Sequence, residues 1–328
     1  MTAFDVVIFG GSGFVGSSIA SWLVSKGYSV KIADVQTSTV DGAVFERCDV
    51  RKPEEVSKHV VNVPAIINTA IIQIPRINEE PRLGYEVNII GVQNICEAVK
   101  NSDKTRGLIQ AGSWHTIGEA GVKGVVDERF GYRPDRVEER AKLYTISKIA
   151  QETIVRYYGL MCRDKAFIIV RTGTVLGVGM PPLTAASTFI KNALAGKKIT
   201  PYKHSMYRPM LFVDIVNVCQ TYEKLVEKII AGDKDVVGEQ LFNIVYPRPV
   251  TILDLANMVR EEIIRATEGA VAPEIEIVDT GQPSLFNADD KEQFSVDISR
   301  ASHIIGLNSF IEPVESIRRI IIHHLSGR

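Results

Sequence analysis

Apolar and polar positions follow two different rhythms along the first half of the chain. Short runs that are apolar almost throughout are typical of strands buried on both faces, whereas apolar residues spaced three and four apart are typical of helices. The apolar runs predict strands at Asp5–Gly10, Ser29–Asp34, Ala65–Ala70, Gly107–Ser113 and Ala166–Thr172. The spaced patterns predict helices at Phe14–Lys26, Pro53–Val60, Glu79–Asn101 and Arg140–Tyr158. Strands that alternate with helices in this way predict an α/β fold with a parallel sheet covered on both faces.

The alternation of strand and helix patterns ends after Arg171. Proline, glycine and short helical patterns dominate residues 173–201. Beyond them the patterns predict helices at Val213–Ile230, Ile252–Ala266, Ile298–Ile305 and Pro313–Leu325, and strands at Gln240–Val245 and Glu274–Val278. A length of 328 residues allows one large domain or two closely joined ones.

Composition excludes several classes of protein. The chain is 45% hydrophobic and 23% charged with a net charge of −1, so it has no basic surface for nucleic acid. No apolar run approaches the ~20 residues of a membrane helix, and a first strand at Asp5 leaves no room for a signal peptide. Cys48, Cys96, Cys162 and Cys219 are scattered, which argues against a disulfide framework or structural zinc. We therefore expect a cytoplasmic protein without a metal site.

Three glycines follow the first predicted strand at Gly10, Gly13 and Gly16. Gly10 allows a tight exit from the strand, Gly13 lets the backbone approach a pyrophosphate, and Gly16 lets the next helix pack close to the sheet. The helix that begins at Phe14 then offers free N–H groups and a positive dipole to phosphate. Glycines also serve ordinary turns, but a preceding strand and a following helix favour nucleotide binding.

Asp34 ends the second predicted strand, where an acid hydrogen-bonds the adenine ribose of a dinucleotide. Its charge repels a 2′-phosphate, and no Arg or Lys occupies the three positions after it. The pattern therefore favours NAD over NADP. The alternative interpretation of Asp34 is a solvated acid in a turn.

Tyr144 and Lys148 lie four residues apart on a predicted helix. This spacing places both side chains on one helix face, about 6 Å apart. A cation at that distance lowers the pKa of a phenol from ~10 toward neutrality, which makes Tyr144 a candidate general base. Alone, the pair is more typical of a surface tyrosine beside a solvated lysine. With the glycine loop upstream, it points to hydride transfer at a carbon that bears a hydroxyl.

Further segments resemble the short-chain dehydrogenase/reductase superfamily, in its extended branch of sugar-nucleotide epimerases and dehydratases. The resemblance extends over nearly the whole chain. It rests on the glycine spacing, the Tyr144 and Lys148 pair, and the segments Cys48–Val50, Val87–Val92, Ser113–Gly118, Arg208–Val216 and Phe242–Asn243.

The resemblance implies a Rossmann-type doubly wound parallel sheet with a smaller C-terminal region that caps the substrate. The implied NAD-binding domain comprises residues 1–173 with 205–246, and the implied substrate-binding region comprises residues 174–204 with 247–328. The cleft between them is expected at the carboxyl ends of the strands. A homodimer is also implied, through the helices predicted at Glu79–Asn101 and Arg140–Tyr158.

The resemblance also assigns roles. Tyr144 takes the hydroxyl proton as hydride passes to NAD, Lys148 holds the nicotinamide ribose, and Ser113 hydrogen-bonds the reacting oxygen. The implied cofactor contacts are Gly10, Gly13, Phe14, Val15, Gly16, Asp34, Asp49, Val50, Asn68, Thr69, Ala70, Asn88, Tyr144, Lys148 and Arg171. Without the Tyr144 and Lys148 pair, Ser113 is more typical of a strand-end hydroxyl bonded to the backbone.

Departures from the family pattern bear on the substrate. Trp114 and His115 stand where dehydratases carry an acid pair, and His115 stands where decarboxylases carry Glu, so the site best suits a 4-epimerase. Arg208 matches an arginine that holds a substrate diphosphate, but Thr174 and Gln282 replace the other two usual anchors. His115 is either a substrate contact or a hydrogen-bonded histidine of the pocket wall.

Three functions therefore stay open. The first is an NAD-dependent epimerase of a nucleotide sugar, which oxidises and re-reduces C4. The second is a dehydrogenase or reductase of the 3β-hydroxysteroid or dihydroflavonol type. The third is a nucleotide-sensing protein without catalysis, a group that typically lacks the tyrosine that this chain retains at Tyr144.

Overall fold

The computed structural model describes residues 4–327. Its strands are β1 Val6–Phe9, β2 Val30–Asp34, β3 Val44–Arg47, β4 Ala65–Asn68, β5 Gly107–Ala111, β6 Gly124–Val126, β7 Ala166–Thr172, β8 Thr174–Leu176, β9 Pro209–Met210, β10 Phe212–Asp214, β11 Gly238–Ile244, β12 Val250–Thr251 and β13 Phe294–Val296. Its α-helices are α1 Phe14–Ser25, α2 Pro53–Val60, α3 Arg76–Glu79, α4 Pro81–Tyr85, α5 Gly91–Asn101, α6 Lys142–Met161, α7 Ala185–Leu194, α8 Ile215–Ala231, α9 Ile252–Ala266 and α10 Pro313–Ser326.

The central sheet has seven strands in the order β11-β7-β5-β4-β1-β2-β3, and every neighbouring pair is parallel. The chain leaves β3 at one edge and returns to β4 beside β1, so the strand order reverses at β1. Ligands of such sheets bind outside the carboxyl ends of the strands at this reversal. The prediction of a doubly wound parallel sheet is confirmed.

Both faces of the sheet are buried. In β1, the alternate residues Val6 and Ile8 pack against one apolar cluster with α1 and α8, whereas Val7 and Phe9 pack against another with α2, α5 and α6. All four side chains are fully buried. This two-sided burial explains why the strands are continuous apolar runs in the sequence.

A third apolar cluster lies beyond the sheet and joins α7, α9 and α10 through Phe189, Leu255 and Ile317. Strands β9 and β10 pair with β12 and β8, and Met210 and Phe212 pack within this cluster. Residues 205–246 therefore contribute to both parts of the structure. Strands β9 and β10 pack with this third cluster, whereas α8 and β11 pack with the central sheet. The predicted division into two domains stays a prediction.

The predicted helix over Glu79–Asn101 forms, but its predicted start is wrong. The helix begins at Pro81 and continues without a break through α4, a π-helical segment at Glu86–Ile90 and α5, and the short helix α3 precedes it. Glu80 has φ −127° and ψ 66°, outside the helical region, because the ring of Pro81 restricts the residue before it. The π-helical segment carries Asn88, and such segments are frequent at functional sites.

The predicted strand at Glu274–Val278 is also wrong. Only two isolated bridges form, Ile199 with Ile275 and Tyr202 with Val278. The amides of Ile199 and Lys203 donate to this segment, but Pro201 between them has no N–H to donate. The missing hydrogen bond interrupts the ladder.

Candidate active site

The glycine loop joins β1 to α1 at the reversal point of the sheet. Gly10 has φ +75°, and a Cβ there would lie 2.3 Å from the amide nitrogen of Ala70. A Cβ at Gly16 would lie 2.4 Å from the carbonyl oxygen of Gly10. Gly13, in contrast, is exposed, and a Cβ there would meet nothing closer than 3.6 Å. The loop therefore packs tightly against the sheet on one side and leaves open space at Gly13.

Gly13 is also the N-cap of α1, and no side chain caps the helix there. The first N–H groups of α1 therefore face the open side of the loop, which is the arrangement that binds a pyrophosphate. Phe14 and Val15, the first residues of the helix, pack against different apolar clusters. The loop fits the dinucleotide that the sequence predicts.

Asp34 lies beside this loop at the end of β2. Its carboxylate accepts from the amide of Ser12 at 3.0 Å and from the amide of Gln36 at 3.0 Å. These two bonds fix the carboxylate at the loop, half-buried, where it can accept further hydrogen bonds from ribose hydroxyls.

Asp49 and Val50 follow β3 and are both buried. The guanidinium of Arg51 pairs with Asp49 at 2.6 Å, and this hydrogen bond holds the pKa of the carboxyl below its usual range. The carbonyl oxygen of Val50 accepts from the side chain of Asn94 at 2.9 Å. A contact of either residue with adenine stays a prediction.

The end of β4 is tied to the glycine loop. Thr69 donates its hydroxyl to the carbonyl oxygens of Phe9 and Gly10, each at 3.0 Å. Asn68 is buried and turns inward, donating to Gln110 at 2.8 Å and accepting from the amide of Ala70 at 3.1 Å. Thr69 and Ala70 therefore adjoin the loop, whereas the side chain of Asn68 braces the strand end.

Asn88 and Arg171 have internal partners that the sequence did not predict. The buried side chain of Asn88 bonds to both backbone groups of Ile72 and donates to the hydroxyl of Ser147 at 3.1 Å. Arg171 is 2% exposed and pairs with Glu152 at 2.6 Å. These bonds give both residues a bracing role, and their predicted contacts with the cofactor stay predictions.

The three predicted catalytic residues meet at the end of β5. Ser113 lies two residues beyond this strand, and its hydroxyl is close enough to Tyr144 on α6 to lower the pKa of that phenol. Lys148, one turn further along α6, is 4% exposed and donates to the carbonyl oxygen of Ala111 at 2.8 Å. The fold thus brings Ser113, Tyr144 and Lys148 together, as the sequence predicts.

Burial controls the ionisation of this group. It raises the pKa of Tyr144 to about 12, while the hydrogen bond with Ser113 acts in the opposite direction. It also lowers the pKa of Lys148 to about 7. The expectation that Lys148 lowers the pKa of Tyr144 toward neutrality is therefore wrong for this structure, because removal of the phenol from water raises that pKa.

His115 lies beside these three residues, with its ring centre 5.5 Å from that of Tyr144. Its Nδ1 lies 3.1 Å from the hydroxyl of Ser113, and its Nε2 lies 3.4 Å from Oε1 of Glu119. Burial, and then the nearby cation Arg208, lower the pKa of His115 to about 3. Sequence reasoning missed Glu119, although it directly follows the family-like segment Ser113–Gly118.

Arg208 is 7% exposed and its guanidinium pairs with the carboxylate of Glu138. The same carboxylate holds Arg140 at 2.7 Å. Thr174 is half-buried on β8, and Gln282 is exposed on a loop. The sequence contained no motif that identified Glu138, which lies in the irregular segment before α6.

The sequence profile of the NAD dependent epimerase/dehydratase family matches residues 6–243. The chain belongs to this family, which confirms the resemblance and the prediction of NAD as cofactor. Within residues 4–327, no helix has the length and apolar character to cross a membrane. The same range contains no group of three or more His, Cys, Asp or Glu placed to hold a metal.

Individual relatives are distant. CapI of Staphylococcus aureus is 22% identical over 291 residues, which cover 79% of this chain and 83% of that protein. Human sterol-4-alpha-carboxylate 3-dehydrogenase, decarboxylating, is 25% identical over 150 residues, which cover 45% of this chain and 38% of that protein. The crystal structure of Thermus thermophilus UDP-glucose 4-epimerase in complex with NAD is 21% identical, with a TM-score of 0.76 over 98% of this chain and 99% of that chain. At this identity the structural likeness establishes the fold.

Proposed function

We propose that the protein is an NAD-dependent epimerase that inverts C4 of a nucleotide sugar through a transient ketone. The observation that carries this proposal is the position of Tyr144, whose ring centre lies 5.8 Å from the buried ammonium of Lys148 and next to the hydroxyl of Ser113. These are the groups that reversible oxidation of a carbinol requires, and no acid occupies positions 114 and 115, where a dehydratase carries them.

When bound, NAD supplies the acceptor and donor of hydride. Tyr144 exchanges the proton of the substrate hydroxyl, and Ser113 donates a hydrogen bond to the same oxygen. A raised pKa keeps Tyr144 protonated at rest, which suits the return of a proton to the ketone oxygen. In the oxidation half, positive charge on Lys148 favours the phenolate that accepts the proton.

The substrate class is inferred from Arg208 and the residues around it. Arg208 matches the family position that holds a diphosphate, and its planar guanidinium suits bidentate phosphate contacts. However, Glu138 already pairs with it, and Thr174 and Gln282 replace the other usual anchors.

These altered anchors favour one alternative, an NAD-dependent dehydrogenase whose hydroxyl-bearing substrate has no diphosphate. The partial similarity to the human sterol dehydrogenase supports this alternative. A sensor without catalysis is disfavoured, since Tyr144, Ser113 and Lys148 are all retained.

The test incubates the purified protein and NAD with UDP-, GDP- and dTDP-sugars, analyses the products, and follows NADH absorbance. We expect a C4 epimer without net NADH, and a loss of at least about 100-fold in Tyr144→Phe. Tyr157→Phe is the matched control, because Tyr157 lies on the same helix with 57% exposure. Steady NADH accumulation would instead establish the dehydrogenase.

We further propose a homodimer formed through α5 and α6. Four apolar side chains of α6 are exposed in the single chain, at Ile146, Tyr157, Leu160 and Met161. Tyr157, Leu160 and Met161 are spaced three and four apart, so they lie near one face of the helix. A second copy packed on this face removes them from water.

A further inference from the structure

A histidine and a buried carboxyl lie directly behind Ser113. Ser113 is the N-cap of a short 3-10 turn, and its Oγ accepts from the amide of His115 at 3.3 Å. The imidazole of His115 folds back so that Nδ1 lies 3.1 Å from the same Oγ. On the other side of the ring, Nε2 lies 3.4 Å from Oε1 of Glu119, whose side chain is fully buried.

The position of the imidazole proton decides what Ser113 can do. A hydroxyl has one proton to donate and two lone pairs that accept. The amide of His115 uses one lone pair. If Nδ1 carries the imidazole proton, it uses the second lone pair. The Ser113 proton is then directed to Tyr144 in the free protein and to the substrate oxygen in the complex. If Nε2 carries it, Nδ1 competes with the substrate for the Ser113 proton.

The surroundings of Glu119 favour the proton on Nδ1. Its Oε2 accepts from the amide of Glu138 at 3.2 Å, whereas its Oε1 has no hydrogen-bond partner in the part of the chain that the structure describes. Burial raises the pKa of Glu119 and lowers that of His115 to about 3, which favours the neutral form of both side chains. A neutral carboxyl that carries its proton on Oε1 donates to Nε2, and the imidazole proton then lies on Nδ1.

Four other charged groups influence the protonation of His115 and Glu119. Arg208, Arg140 and Lys148 disfavour the charged form of His115. Arg208 and Arg140 favour the carboxylate of Glu119, and Glu138 opposes it. Glu138 also forms ion pairs with both arginines, which offsets their charge. Burial therefore dominates for both members of the pair.

We infer that His115 and Glu119 are positioning residues for the reaction, in which the Glu119 carboxyl holds the Nδ1–H form of His115 and thereby directs the Ser113 proton to the substrate oxygen. This inference rests on the proposed function, which places the reacting oxygen at Ser113. It extends that function to two residues that never touch the substrate in this role. It also gives a reason for histidine at position 115, where related dehydratases and decarboxylases carry an acid.

The first test determines which imidazole nitrogen of His115 carries the proton, in the 328-residue chain with NAD. Nitrogen-15 NMR of histidine-labelled protein distinguishes a protonated Nδ1 from a protonated Nε2. The chain has six histidines, so the His115 signals are assigned by their loss in His115→Asn. We expect protonated Nδ1 in the wild type and a mixture of both forms in Glu119→Leu. A wild-type imidazole protonated on Nε2 overturns the inference.

The second test compares turnover on the sugar that the substrate panel identifies. Asn at position 115 retains an N–H donor near the place of Nδ1, whereas Leu does not. We expect kcat of His115→Leu to fall about 100-fold with KM nearly constant, and His115→Asn to retain about tenfold more activity than His115→Leu. Gln at position 119 retains a donor to Nε2, so Glu119→Gln should likewise exceed Glu119→Leu.

The two proposals fail in different ways. If the wild type converts no sugar but shows the Nδ1–H form, the proposed function fails and the hydrogen-bond arrangement stands. If the wild type is an active epimerase and His115→Leu keeps its kcat, the positioning role is overturned. A variant that does not fold leaves the wild-type NMR measurement to decide.

Discussion

The Nζ of Lys148 lies 5.8 Å from the centre of the Tyr144 ring and 2.8 Å from the carbonyl oxygen of Ala111. The helical spacing of the two residues sets the first distance, and the end of β5 supplies the second contact. Burial alone accounts for the lowered pKa of this ammonium, with no carboxylate among the described residues acting to raise it. Lys148 is therefore a buried cation held by one backbone oxygen, poised to lose its proton near neutral pH.

This burial makes stability depend on pH. The pKa of Lys148 is about 7 in the folded chain against an ordinary value of 10.5, so between these limits the unfolded chain binds one more proton. The free energy of unfolding then rises with pH, by up to about 1.4 kcal/mol per pH unit. Tyr144 acts in the opposite direction, and only above its ordinary pKa of 10.0. Because its pKa is raised to about 12 in the folded chain, the unfolded chain loses this proton first, and stability falls as pH rises there.

The measurement is urea unfolding between about pH 7 and pH 10, the window where Lys148 titrates and Tyr144 does not. Lys148→Met removes the titrating group and keeps an apolar stem of similar length. We expect the difference in the free energy of unfolding between wild type and variant to change steadily with pH in this window. Parallel stability curves for the two proteins would contradict the lowered pKa.

Two alanine variants of the glycine loop distinguish its effect on stability from its effect on NAD binding. Ala at Gly16 places a methyl 2.4 Å from the carbonyl oxygen of Gly10, so Gly16→Ala should lose about 1–3 kcal/mol of stability and also bind NAD poorly. Ala at Gly13 meets nothing closer than 3.6 Å, and φ there is −78°. Gly13→Ala should therefore keep its stability.

The methyl of Gly13→Ala would nevertheless stand where the backbone must approach the pyrophosphate. We expect its affinity for NAD to fall about tenfold, or about 1.4 kcal/mol, measured by calorimetric titration alongside urea unfolding of each variant. Wild-type affinity in Gly13→Ala would show that the pyrophosphate binds elsewhere.

The sequence predicted the parts of this protein that local patterns determine. Apolar runs located the buried strands, and the glycine spacing located the loop. Gly16 tolerates no side chain, because a Cβ there would lie 2.4 Å from a carbonyl oxygen. Tyr144 and Lys148 were predictable because helical periodicity alone places them on one face.

Contacts between distant segments were not predictable. Glu138 meets Arg208 across 70 positions of the chain, and no local pattern records that pairing. The same holds for Asn88, whose partners Ile72 and Ser147 come from a loop and another helix. The pKa of Tyr144 was mispredicted for a related reason, since burial depends on the whole fold and not on the spacing to Lys148.

The pairing of Glu138 with Arg208 leads to a prediction about the substrate. A diphosphate that binds Arg208 must compete with the Glu138 carboxylate. Glu138→Gln should therefore lower KM for the nucleotide sugar by roughly threefold to tenfold, whereas Arg208→Met should raise it by at least that factor. Steady-state kinetics on the sugar identified by the panel would measure both.

Glu139→Gln is the matched control for Glu138, because the Glu139 side chain is 87% exposed and pairs with Lys142 at the surface. It should leave KM unchanged. If KM for a diphosphate-bearing substrate is equally insensitive to Glu138 and Arg208, the diphosphate is held elsewhere. A substrate without a diphosphate would then become the better hypothesis.

The exposed apolar face of α6 predicts the assembly. Leu160 is 59% and Tyr157 is 57% exposed in the single chain, and stable interfaces bury a central apolar patch of this kind. Light scattering after gel filtration should give about twice the chain mass of 36.2 kDa. The double variant Tyr157→Glu and Leu160→Glu should be monomeric, because pairing the copies would bury unpaired carboxylates. Leu183→Glu, at a position 80% exposed outside α6, should remain dimeric. A wild-type mass equal to that of one chain would contradict the dimer.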